Sequence, residues 1–219
     1  MRAIVAGASG LTGKALLQLL LDQPRYDEVV TLDRRATTAR SVKHRPLQVD
    51  FDHLSPLPTC DDAYCCLGTT SKKAGSKEAF RKVDLEYVLA FATATLAAGA
   101  KQFLVISALG ANASSGVFYS RIKGETELAV SSIGFEAVHI FRPSFLVGVA
   151  DQKRDESRPI EGLSIAAFKA LSPILVGPAR KYRPIGVDAV SRAMLAAAAA
   201  GKRGVHTYES GEMQKLAGA

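Results

Sequence analysis

Tyr119 and Lys123 stand four residues apart in the run Tyr119-Ser120-Arg121-Ile122-Lys123, so on a helix the phenol and the ammonium share one face. That pairing suits proton transfer at a carbonyl. A free tyrosine titrates near 10, and work near pH 7 asks for about 4 kcal/mol of help, part of which a neighbouring cation supplies. The phenol then donates to a carbonyl oxygen as its carbon is reduced, or takes a proton from an alcohol in reverse. Ser107, closing an apolar strand pattern, is placed to orient the substrate oxygen, with Ser114 and Ser115 in the next loop as reserves. The competing assignments are a surface tyrosine beside a solvated lysine, and a strand-end serine that bonds nearby backbone.

Such chemistry needs an electron carrier, and the start of the chain offers a place for one. Gly7-Ala8-Ser9-Gly10-Leu11-Thr12-Gly13 follows a short apolar run, Arg2 to Ala6, and opens a helical pattern, Leu11 to Leu21. This is the context of a dinucleotide fingerprint: the glycines allow a tight turn and a close approach to a pyrophosphate, while helix N–H groups and the helix dipole face the anion. A P-loop is the nearest competitor because Lys14 follows Gly13, but that motif wants glycine at 8 and Ser or Thr at 15, and both are alanine. Asp33, at the end of the second strand pattern, suits the ribose hydroxyls of NAD(H). Arg34 and Arg35 follow at once and suit a 2′-phosphate, so NADP(H) is the preferred cofactor and NAD(H) the alternative. Asp50 and Phe51, after the third strand pattern, either flank the adenine or cap the following turn.

The elements that must position these residues read as strand patterns at Arg2–Ala6, Val29–Leu32, Leu47–Val49, Ala63–Leu67, Phe103–Ile106, Ala137–Phe141 and Val205–Tyr208. Helical stretches fall between them, one at about 76–98 closed by Gly99, others at about 117–132 and 187–200. Strands separated by helices imply an α/β fold, a Rossmann-type doubly wound parallel sheet. The segment at about 144–185, with a polar loop at 151–158 and a helix at about 161–171, reads as a small C-terminal substrate cap on a single domain spanning 1–219.

The charge of +7 is not gathered in a tail, and its densest stretch, Arg34 to Arg45, has no aromatic residue for bases to stack on, which argues against nucleic acid. No apolar run is long enough for a membrane span. Three cysteines, Cys60, Cys65 and Cys66, two of them adjacent, point to a reducing compartment, and together with the lack of a signal-peptide pattern to a cytoplasmic protein. Adjacent Cys65 and Cys66 should face opposite sides of their strand and serve packing. The four histidines show no metal-ligand spacing, and His139, inside an apolar strand, reads as a core residue. Oligomeric state is open, and a small-molecule substrate is the expected partner.

The glycine turn, the Tyr119-Lys123 pair and Arg142-Pro143-Ser144 together resemble the short-chain dehydrogenase/reductase superfamily. The closer likeness is to an atypical branch, through Cys65-Cys66-Leu67-Gly68-Thr69-Thr70, Val83 to Leu89, Tyr119 to Glu125 and Glu156-Ser157-Arg158-Pro159. The resemblance implies NADPH bound with its pyrophosphate on the glycine turn and with Leu67, Gly68 and Thr69 lining it. It further implies Tyr119 and Lys123 at the nicotinamide ribose, and the backbone around Pro143 near the nicotinamide. Three positions depart from the pattern: Asp33 where the closer branch has glycine, Asp84 where many superfamily members place asparagine, and Ala108 where they usually carry the active-site Ser or Thr. The first keeps NAD(H) in play. The last gives a second expectation, an NADPH-binding regulatory or redox-sensing protein, with a possible protein partner, that turns over little or no substrate.

Overall fold

The computed structural model describes residues 1–147 and 182–218. Seven strands form one parallel sheet in the order β3-β2-β1-β4-β5-β6-β9, and a two-stranded sheet pairs β7 with β8. The ranges are β1 Arg2–Ala6, β2 Glu28–Asp33, β3 His44–Gln48, β4 Asp62–Cys65, β5 Gln102–Ile106, β6 Ala137–Arg142, β7 Leu146–Val147, β8 Ile185–Gly186 and β9 Gly204–Glu209. The order reverses between β1 and β4, and β1 carries the glycine turn, which puts that turn at the switch point where doubly wound sheets take ligands.

Side-chain alternation splits the strands between two cores. Ala3, Val5, Tyr64, Leu104 and Phe141 pack under α1 (Leu11–Asp22), α6 (Val187–Ala199) and α7 (Ser210–Ala217). Ile4, Ala6, Val30, Leu32, Phe103, Val105 and Ile140 pack under α4 (Tyr87–Ala97) and α5 (Phe118–Ser131). With both faces covered, the inner strands read as continuous apolar runs, as parallel sheets require. Cys65 lies in the second core and Cys66 packs against the first, the opposite orientation expected of neighbours on a strand.

Several elements differ from the sequence reading, among them the fourth strand, which runs Asp62–Cys65 rather than Ala63–Leu67. The third strand starts at His44 rather than Leu47, because an edge strand tolerates Pro46, whose missing N–H faces no neighbour. A short α2 (Ser71–Ala74) precedes the single helix expected at 76–98, which is itself a series: α3 (Lys77–Arg81), a π-helical turn at Lys82–Glu86, and α4. Helix α7 was not anticipated; its capping box uses Glu209 at the N-cap, an unusual residue there, with Glu212 returning to the Glu209 N–H. The cap expected at about 144–185, with its loop at 151–158 and helix at 161–171, lies for the most part outside the described residues, as does Glu156-Ser157-Arg158-Pro159.

Candidate functional site

The glycine turn leaves the start of α1 open. Gly7 has φ +83°, and a Cβ there would lie 2.5 Å from the Cys66 carbonyl oxygen; a Cβ on Gly13 would lie 2.1 Å from the Gly7 carbonyl oxygen. Both approaches are closed to any side chain, so strand and helix meet at backbone distance. Gly10 is the N-cap of α1, no side chain caps the helix, and no acid sits in its first turn, so its leading N–H groups and dipole stay available. Ala8 and Thr12 are buried, whereas Ser9 and Leu11 are exposed at the rim.

Beyond the turn, Asp33 ends β2 almost buried, and Arg34 and Arg35 are exposed. A cavity of about 370 Å³ lies here, lined by Arg34, Gln48, Val49, Asp50, Phe51 and Tyr87. Phe51 forms its apolar wall, with its ring 5.4 Å from that of Tyr87. Asp50 lines the cavity and also accepts from the Asp52 N–H at 2.9 Å, the turn-capping role weighed from sequence. That bond and the nearby His53 hold its carboxyl below the usual range.

The floor of the site is ionic. Lys123 is only 6% exposed, and its Nζ lies 2.7 Å from Asp84 Oδ1. Asp84 Oδ2 accepts from the Thr69 N–H at 2.9 Å, so one carboxylate ties α5 to the turn after β4. Burial pulls the Lys123 pKa down, but the Asp84 charge, aided by Tyr119, outweighs it and leaves the ammonium above its ordinary value. The π-helical turn frees the Asp84 carbonyl to accept from Thr126 Oγ1 at 2.9 Å, fixing the carboxylate's base. Gly68 covers the pair: a Cβ there would stand 3.5 Å from Asp84 Oδ1 and 3.8 Å from Lys123 Nζ. Tyr119 is half-buried in the first turn of α5, its ring 5.5 Å from Phe80.

Ser107 leaves β5 with its N–H on the Phe141 carbonyl, and the Leu109 N–H reaches the Pro143 carbonyl, which stitches the β5 and β6 ends together. The Ser107 hydroxyl is buried and has no hydrogen-bond partner among the described residues. Its neighbour Ala108 presents only a methyl group. Ser115 Oγ accepts from the Val117 N–H, so that reserve is spent within its own loop, while Ser114 is exposed. The loop lies so close to α5 that a Cβ on Gly124 would fall 2.1 Å from the Ala113 nitrogen. The Arg142 guanidinium is taken up by Glu127 of α5, its Nε 2.9 Å from Oε1, an ion pair that braces the end of β6 against that helix. Ser144 is engaged among the described residues: its N–H donates to Ser210 Oγ, and its hydroxyl donates to the Arg183 carbonyl and accepts from Ser210 Oγ. Glu127 and Tyr87 drew no site role from the sequence, and Asp84, flanked by Lys82 and Glu86, stood out only as a departure from the family pattern.

The model of the NAD dependent epimerase/dehydratase family matches residues 3–211. The chain belongs to this family. Among curated relatives, "Protein HTATIP2" of Rattus norvegicus is 38% identical over 174 residues, 76% of this chain and 70% of that one. "Protein fmp52, mitochondrial" of Emericella nidulans is 32% identical over 206 residues, 87% of this chain and 86% of that one. Among solved structures, MoeE5 in complex with UDP-glucose and NAD superposes with a TM-score of 0.68 at 16% identity, covering 99% of this chain and 81% of that one. Human epimerase family protein SDR39U1 with NADPH superposes at 0.64 and 18% identity, covering 95% and 74%. The family member described here is thus an atypical short-chain dehydrogenase/reductase with the NAD(P)-binding Rossmann fold. The expectation of a cytoplasmic protein is corrected: relatives from Emericella nidulans, Scheffersomyces stipitis and Candida albicans are named mitochondrial. Unpaired thiols report a reducing milieu, which does not single out the cytosol. Among the described residues no helix is long and apolar enough to cross a membrane.

Proposed function

We propose that the chain is an oxidoreductase that moves hydride between NADP(H) and a small carbonyl or alcohol. The observation that carries this reading is Lys123, a nine-tenths buried ammonium four residues after Tyr119 and directly behind the Gly68 turn. A lysine is buried at such expense only where its charge is used or matched. The bound nicotinamide supplies or accepts the hydride. Gly7, Gly10 and Gly13 would let the pyrophosphate approach, Arg34 and Arg35 would meet a 2′-phosphate against the opposing charge of Asp33, and Phe51 would offer its ring to the adenine. Lys123 holds the ribose hydroxyls and keeps positive potential near Tyr119, whose phenol gives its proton to the carbonyl oxygen. The Ser107 hydroxyl, unspent and buried, orients that oxygen. The test is Tyr119→Phe: turnover of a carbonyl panel with NADPH should vanish while NADPH binding stays, and unchanged turnover would refute the role.

Ala108 favours a second reading. Without a hydroxyl at that position, the same fold binds NADPH as a regulatory or redox-sensing module whose partner reads the bound state. It calls for tight NADPH binding with no consumption across the panel. Restored turnover in Ala108→Ser would support this reading, and turnover by the unaltered chain would remove it.

A further inference from the structure

His44, Thr31 and Asp33 form a buried chain of contacts on the outer edge of the sheet, 5%, 1% and 9% exposed. The Arg40 N–H, which can only donate, lies 3.0 Å from His44 Nδ1, so that nitrogen accepts. Burial and Arg40 hold the ring below its usual pKa, against the pull of Asp33, and the neutral ring must then carry its proton on Nε2. Nε2 lies 3.0 Å from Thr31 Oγ1 and donates to it, and Thr31 passes its own hydroxyl proton to Asp33 Oδ2 at 2.7 Å. Every bond in the chain has one direction.

We propose that His44 and Thr31 are specificity-determining residues that, through this relay, lock the Asp33 carboxylate in place and so set the discrimination between NADH and NADPH. The inference rests on the dinucleotide reading above. With Oδ2 engaged inward, the carboxylate cannot swing away from the end of β2, and Oδ1 is left to accept from a ribose 2′-hydroxyl. The same fixed charge opposes a 2′-phosphate, while exposed Arg34 and Arg35 attract it. Selectivity is therefore the difference between a locked anion and two surface cations, and the lock is made by side chains outside the cavity lining. The charged groups facing His44 are Asp33 from β2 and Arg40 from the loop that carries the cations, so the relay also anchors that loop.

The test titrates the full chain with NADH and with NADPH by fluorescence, for wild type, Thr31→Val, Thr31→Ser and His44→Leu. Thr31→Val should weaken NADH about tenfold, the loss of one bond to a charged acceptor, and leave NADPH unchanged or tighter. His44→Leu should move the ratio the same way by less, and it carries the test if Thr31→Val does not fold. Thr31→Ser, which keeps the hydroxyl, should stay within about twofold of wild type. A wild-type ratio in both Thr31→Val and His44→Leu, or a shift in Thr31→Ser as large as in Thr31→Val, overturns the relay while leaving the dinucleotide reading intact. A wild-type chain that binds neither nucleotide overturns that reading and the relay with it.

Discussion

Asp84→Asn removes one charge and almost no volume from the floor of the site. The wild-type carboxylate serves Lys123 Nζ at 2.7 Å and the Thr69 N–H at 2.9 Å, and the carboxamide oxygen retains one of these. Lys123 is then a buried ammonium without a counter-charge, a situation that costs about 3 kcal/mol or more when one partner of a buried pair is deleted. For a chain of this length that corresponds to a fall in Tm of roughly 6–12 °C. The pH dependence gives the sharper check. In the wild type the Lys123 pKa is raised, so its contribution is complete below the unfolded lysine value near 10.4 and is lost only as pH climbs through the higher folded value. In the variant, burial is opposed only by the weaker pull of Tyr119 and Cys65 and drives that pKa down, so the penalty is full at neutral pH and shrinks as the lysine sheds its proton. Urea denaturation at pH 7 and at pH 10 should therefore show a gap between the two proteins that narrows with alkali. Adding Lys123→Met to Asp84→Asn should recover most of the loss at pH 7. A pH 7 loss below about 1 kcal/mol, a gap that does not narrow, or no recovery in the double variant would refute the reasoning.

Other outcomes follow from the same geometry. Gly13→Ala places a methyl group 2.1 Å from the Gly7 carbonyl oxygen, so the turn must open, and the thermal stabilisation that NADPH gives the wild type should disappear. His139 is fully buried with its pKa pushed down to about 4 by desolvation, with help from His206 and Lys202. Its depressed value means that the unfolded chain binds the proton first, so stability is whole above pH 6.5 and about 3 kcal/mol is lost as pH falls to about 4. Urea titrations across that interval should show the loss, and His139→Gln should flatten it. Arg142→Leu strands the buried Glu127 carboxylate and should lower stability by about 3 kcal/mol at pH 7, a loss that Glu127→Gln in the same chain partly restores; calorimetry of both variants measures it.

The parallel sheet and the glycine turn were legible because both are written locally: β-branched runs give the inner strands, and the fingerprint needs only seven consecutive residues. Tyr119 and Lys123 were legible as a helical pair, but nothing along the chain told that Lys123 is buried against Asp84, since the two meet across different elements. The edge strand was placed three residues late because Pro46 interrupts its pattern and edge strands need few apolar residues. The π-helical turn at Lys82–Glu86 leaves no mark in a periodicity reading, and it decides where the Asp84 carbonyl points. The role given to Arg142 followed its neighbours in the motif, whereas its partner Glu127 became visible only once α5 was laid beside β6. The compartment was misjudged because thiol usage speaks to redox poise, not to address.

The absence of any room at position 124 has a bearing on how this scaffold can diversify. Since even a methyl group would collide with the backbone of Asn112 and Ala113, the segment after β5 is seated directly on the Tyr119 helix. Side-chain growth at 124 is therefore closed to this scaffold, whereas the exposed positions 110, 114 and 116 of the same loop leave room for change without disturbing the seat of that helix.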